Sequence, residues 1–144
     1  MNQLTKIKLT KIVNQSCRKF WEYSNLGGCC AIASRALVYY FDYFFPNNYN
    51  KFVYGYYEES YNHHCWVQSG NIIYDPTIKQ FDKKRQIAIA NEDGDMYVRK
   101  VEINIYDSEN VINFFKGWPE HQMPISDNVI RVQQIADKIL KINP

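Results

Sequence analysis

Residues 30–45, CAIASRALVYYFDYFF, constrain this chain more than any other stretch. Ala33, Leu37, Tyr40, Phe41 and Phe44 fall at helical spacing, and the helix they predict is apolar almost all round. A surface helix carries one apolar stripe, so a helix apolar on most sides belongs at the centre of a fold. It begins after the break Asn25-Leu26-Gly27-Gly28 and stops at "FPNN", where Pro46 is the stop signal. The chain has 144 residues, 46% of them hydrophobic and 22% charged, which predicts one globular domain over residues 1–144.

The other elements follow from pattern. Leu9, Ile12, Val13, Cys17, Phe20 and Trp21 predict an amphipathic helix over residues 5–23, with Cys17 on its core face. Residues 51–57, 62–68 and 71–75 read as strands, and residues 79–95 as an irregular polar loop. Residues 97–106 alternate, placing Val101, Ile103 and Ile105 on one face. Ser108 could cap a short helix carrying Val111, Ile112, Phe114 and Phe115. Ser126 or Asp127 could cap a last helix that buries Val129, Val132, Ile135, Ala136 and Ile139. The order predicts an α+β fold, with N-terminal helices packed on an antiparallel β-sheet and C-terminal helices after it.

Several classes of function are disfavoured. The net charge is +2, short of the basic excess of a nucleic-acid binder, and Lys79, Lys83, Lys84 and Arg85 read as a solvated loop. The opening MNQLTKIKLTKIVNQ has no signal-peptide apolar region, and no run approaches the ~20 apolar residues of a transmembrane helix. The expectation is a cytoplasmic, reducing setting with no membrane partner, in which the four cysteines are thiols rather than disulfides.

Chemistry is concentrated in two stretches. In NHHCWVQSGNIIYDPT, residues 62–77, Ser69-Gly70 is a plausible hairpin turn. That turn sets Trp66 opposite Ile73, Cys65 opposite Tyr74 and His64 opposite Asp75. A loop centred on Gly70-Asn71 would set Trp66 opposite Asp75 instead, and His64 and Asp75 would still share a face. A carboxylate beside an imidazole is what a general base requires. His63 points to the other face and reads as a bystander, and Cys65 reads as core beside Val67, Ile72 and Tyr74.

The other stretch is GGCCAIASRAL, residues 27–37. Glycines permit a tight turn and close backbone approach. The cysteines then fall in the first turn of a helix, where unpaired amides and the dipole favour thiolate, and where a backbone amide can serve an oxyanion. Cysteine, histidine and aspartate thus make up a nucleophile, base and orienter.

Gly28-Cys29-Cys30, His64-Cys65-Trp66 and Asp75-Pro76-Thr77, in that order, resemble the papain-like and transglutaminase-like cysteine hydrolase superfamily. The longer strings GGCCAIASRAL and GNIIYDPTIKQF are similar to small bacterial and phage proteins of this kind. The matching stretch spans about residues 27–81. The resemblance implies a papain-like or transglutaminase-like α+β fold, with Cys30 as nucleophile, His64 as base and Asp75 as orienter. An alternative alignment favours Cys29 as nucleophile. Asn25 and Gln15 are candidates for an oxyanion side chain; the plainer readings are a helix C-cap for Asn25 and an exposed helix position for Gln15. Trp66 would wall the site or pack under His64, and Cys29 could lend a backbone group.

The chemistry implied is acyl transfer through a thioester on a protein or peptide substrate, with no metal and no cofactor. Water at a peptide bond makes the enzyme a cysteine protease, water at a glutamine side chain a deamidase, and a lysine amine a transglutaminase. Three rival readings remain. One is a zinc site at Cys30, His64 and Asp75, although zinc ligands are usually spaced two to four residues apart. The others are a binding module that keeps the fold without turnover, and an interaction protein with a coincidental triad.

Overall fold

The structure is a computed structural model that describes residues 2–24, 30–58, 63–81, 84–85, 87–91, 94–107, 109 and 113, the side chains of residues 2 and 16–24 excepted. It is an α+β fold: helices α1 (Asn2–Ser24) and α2 (Cys30–Phe44) precede strands β1 (Asn50–Tyr57), β2 (His63–Ser69), β3 (Ile72–Asp75), β4 (Ala88–Asn91) and β5 (Tyr97–Ile103). The strands form one antiparallel sheet in the order β4-β3-β2-β1-β5. Of the expected helix after Ser108, Glu109 and Asn113 are described and helical; Val111, Ile112, Phe114 and Phe115, the expected helix after Ser126 and the side chain of Cys17 lie outside the described residues.

The apolar run becomes α2, buried through Cys30, Ala31, Ile32, Ala33 and Ser34 and again at Leu37 and Phe41. It packs between α1 and one face of the sheet, sharing a core with Leu9 and Val13 of α1 and with Phe52, Cys65, Val67 and Tyr74 of the strands. The Lys6 ammonium fastens α1 to the end of β2 by donating to Ser69 Oγ at 2.8 Å. The opposite face carries a second core of Val53, Tyr57, Trp66, Ile73, Ile78, Ala88 and Tyr97. β2 lies in the middle of the sheet and is buried from His64 to Ser69, so both of its faces are covered.

Three details depart from the sequence reading. The turn is Gly70-Asn71, with Ser69 opposite Ile72 and Val67 opposite Tyr74, so the second register holds. Gly70 takes the first turn position at φ 60°, a left-handed backbone that glycine adopts without a Cβ clash. Within the expected loop 79–95, Ala88–Asn91 extends the sheet beside β3, because Ala88 can bury its side chain at the sheet edge.

The third departure lies in β5. Tyr54 pairs with Val101 but Tyr56 pairs with Val98, so β5 carries one extra residue across from Gly55. Arg99 sits in this bulge at φ 55°. Val101 and Ile103 oppose Tyr54 and Phe52 on the helix side of the sheet, and Ile105 beyond the strand joins the same core, although Val101 itself is exposed and Ile103 only half-buried. The bulge reverses the alternation, so Tyr97 opposes Tyr57 and joins the second core instead of sharing a face with Val101. A Cβ on Gly55 would lie 2.6 Å from Trp66 Cη2 and 2.7 Å from the Val98 carbonyl oxygen, so this position requires glycine.

Candidate active site

The site is assembled where β3 stops short. β1 pairs with β2 along its whole length, including Gly55 opposite His64 and Tyr54 opposite Cys65. β3 pairs with β2 only from Val67 to Ser69. On that side the backbone at His64 and Cys65 has no paired strand, and Cys30 at the start of α2 makes contact there. Cys30 thereby meets residues of both sheet faces: Cys65 on the helix side and His64 on the other.

His64 and Asp75 are fully buried, and His64 Nε2 donates to Asp75 Oδ2 at 2.7 Å. The backbone amide of Thr77 donates to Asp75 Oδ1 at 3.0 Å, a local turn of the kind Asp favours two residues before an amide. Tyr97, outside the expected site, donates its hydroxyl to Asp75 Oδ2 at 2.9 Å. Both carboxylate oxygens are thus held, and the Nε2 side of the imidazole is spoken for. His64 Nδ1 is buried without a hydrogen bond of standard geometry. Besides Asp75, the Cys30 thiol acts on the ring, through a hydrogen bond and a charge that both favour the imidazolium.

Electrostatics separate the protons of this pair. The Cys30 thiol is held down to about 5, first by a hydrogen bond from the Cys65 side chain, against burial, which pushes it up. The hydrogen bond and charge of His64 and the Cys65 backbone amide add to the lowering. For His64 the largest influence is burial, which disfavours the cation. The charge and hydrogen bond of Asp75, followed by those of Cys30, overcome it and raise the ring to about 10. Between these two steps the pair is thiolate and imidazolium. Tyr97 is pushed far up, chiefly by burial and then by the Asp75 charge, so its hydroxyl stays a donor.

Aromatic rings enclose the imidazole. Phe81 meets it edge to face at 4.8 Å, Trp66 lies at 6.1 Å and Tyr57 at 6.4 Å. They shield the ring from water. Trp66 is thus a wall beneath His64. His63 is exposed and contacts Tyr54 and Tyr56 on the helix side of the sheet. Gln15 occupies an exposed position on α1, the plainer of its two readings. Asn25 and Cys29 lie outside the described residues. Cys65 is core, in line with its neighbours, but it also supplies two donors to Cys30, a role its position on the strand did not suggest.

Tyr97 was missed because strict alternation assigns it to the face of Val101. The signal that points to it is the strand-interior glycine in KFVYGYY, which marks a bulge. Tyr57 and Phe81 carried no signal beyond being aromatic. Among the described residues no group of three or more His, Cys, Asp or Glu side chains is arranged to hold a metal ion. Asp75 holds the imidazole through Nε2, and the Cys30 thiol is a second polar group acting on the same ring. Comparison with family models, with curated proteins and with solved structures found no match.

Proposed function

We propose that this protein is a thiol-dependent acyl-transfer enzyme, a cysteine protease or amidohydrolase of papain-like or transglutaminase-like fold, acting on a protein or peptide substrate. The observation that carries the reading is one fully buried imidazole, bonded to Asp75 through Nε2, with Nδ1 left unpaired and a buried thiol at a helix start acting on the ring. A histidine and aspartate serving only the core would not need a thiolate as third partner.

In the proposed reaction the Cys30 sulfur donates an electron pair to the substrate carbonyl carbon, forming a tetrahedral oxyanion. Unpaired amides in the first turn of α2 favour that negative charge. As the oxyanion collapses, the C–N bond breaks and the His64 imidazolium gives its Nδ1 proton to the leaving amine, leaving a thioester on Cys30. The now neutral His64 takes a proton from water, the hydroxide adds to the thioester, and Cys30 leaves as thiolate with His64 again protonated. Asp75 holds the ring and stabilises its cation throughout.

The test incubates the protein with glutamine-containing peptides and a small primary amine, quenches in acid and reads the products by mass spectrometry. The expected result is a thioester on Cys30, released by hydroxylamine, together with a shortened peptide. Conversion of glutamine to glutamate would mark a deamidase, and amine incorporation a transglutaminase. Absence of any adduct or product across peptide sequences would support the binding module.

A further inference from the structure

We propose that Tyr97 is a positioning residue of this site, fixing Asp75, and through it the His64 ring, by the hydrogen bond from its hydroxyl. The inference rests on the reading of Cys30, His64 and Asp75 as a reacting set. Tyr97 and His64 converge on the same oxygen, Asp75 Oδ2, at 2.9 and 2.7 Å, while the Thr77 amide holds Oδ1 at 3.0 Å. With three donors on two oxygens the carboxylate has one orientation, and the imidazole bonded to it inherits that orientation.

The fold reaches this arrangement through a local irregularity. Without the extra residue in β5, Tyr97 would share a face with Val101 and Ile103, on the helix side of the sheet. The bulge turns it to the His64 side, at the expense of a left-handed Arg99 and a glycine at position 55. The ring is then clamped, edge to face, by Trp66 at 4.9 Å and Tyr57 at 5.5 Å. Tyr97 is buried as a whole, 4% exposed.

This bond also has an electrostatic consequence. A donor on Oδ2 draws charge from the oxygen that faces His64, so it moderates how strongly Asp75 holds the imidazolium. Removing it leaves Oδ2 more negative toward His64 and moves the ring's titration to higher pH. A stronger donor moves it lower. A tyrosine serving only as packing would move it in neither direction.

The test follows the His64 ring by NMR through its titration and, in parallel, the pH dependence of iodoacetamide labelling at Cys30, using the full chain. Tyr97→Phe keeps the ring contacts and removes only the hydroxyl. The expected result is a His64 step above that of the unmodified protein, with Cys30 still labelled first at neutral pH, where the pair is already thiolate and imidazolium. A ring-fluorinated tyrosine at position 97, a stronger donor of nearly the same shape, is expected to lower the His64 step, and it serves alone if Tyr97→Phe does not fold. Superimposable His64 titrations, or shifts of the same sign in both variants, would overturn the proposal. Opposite shifts at His64 without preferential labelling of Cys30 would uphold the hold on Asp75 and sink the nucleophile reading instead.

Discussion

Replacing His64 by alanine is expected to move the reactivity of Cys30 along the pH axis rather than abolish it. The Cys30 step lies near 5 because donors from Cys65 and the hydrogen bond and charge of His64 together outweigh burial. Removing one member of a buried, hydrogen-bonded charge pair costs about 3–4 kcal/mol, which is roughly 2–3 pKa units. The Cys65 donors remain, so the step should settle at about 7–8 rather than return to the ordinary thiol value of 9.0. At pH 6 the thiolate fraction then falls from about nine-tenths to about 1–10%, and labelling slows by about a few-fold, less than that ratio because the more basic thiolate is the better nucleophile. At pH 9 both proteins are largely thiolate, and the variant, whose thiolate is the more basic and the better nucleophile, should label at least as fast as the parent. Because Cys30 is 2% exposed, absolute rates include the cost of local opening, and the ratio between the two pH values is the quantity to read. The assay is iodoacetamide labelling mapped to individual cysteines, with folding verified by circular dichroism. An unchanged Cys30 step, or equal slowing at pH 6 and pH 9 in a folded variant, would refute the reasoning.

Other outcomes follow from the same geometry. Cys65→Ala removes the largest single influence lowering the Cys30 thiol, so the labelling profile of Cys30 should shift to higher pH while that of His64→Ala remains distinct from it. Stability should form a plateau against pH. The lowered Cys30 thiol contributes stability present above its unfolded value of 9.0 and lost as pH falls through about 5. The raised His64 contributes stability present below 6.5 and lost as pH rises through about 10. Their sum rises from about 5 to 6.5, is flat to about 9 and then falls, and thermal melts of Cys30→Ala should lose the acid rise and begin falling already from about 6.5, because Asp75 still raises His64. Gly55→Ala should destabilise by about 1–3 kcal/mol in urea unfolding, because its Cβ would meet Trp66 and the Val98 carbonyl; a neutral effect would show that the bulge is soft.

Much of this arrangement is legible in the residues. Period 3.6 in residues 30–45 marks the central helix, and a period of two marks the hairpin, because each reports burial of one set of side chains. His64 and Asp75 share a face under either even register, so their meeting did not depend on the exact turn. What alternation alone conceals is any place where a strand slips by one residue. Arg99 and Gly55 mark such a slip, and with it strict alternation assigns Tyr97 to the wrong face. The contact of Cys65 with Cys30 is hidden for another reason: it depends on β3 being short, a tertiary fact that neither strand carries in its own pattern. The polar segment that includes Ala88–Asn91 was hard to read because a four-residue edge strand contains too few periods to stand out from a loop.

The central claim is that Cys30 is the activated nucleophile, and limiting iodoacetamide on the native full chain at neutral pH tests it most directly. Mass mapping of the first modified site is expected to find Cys30, with Cys17, Cys29 and Cys65 lagging far behind. Equal sluggishness at all four thiols, or first modification at Cys29, would contradict it.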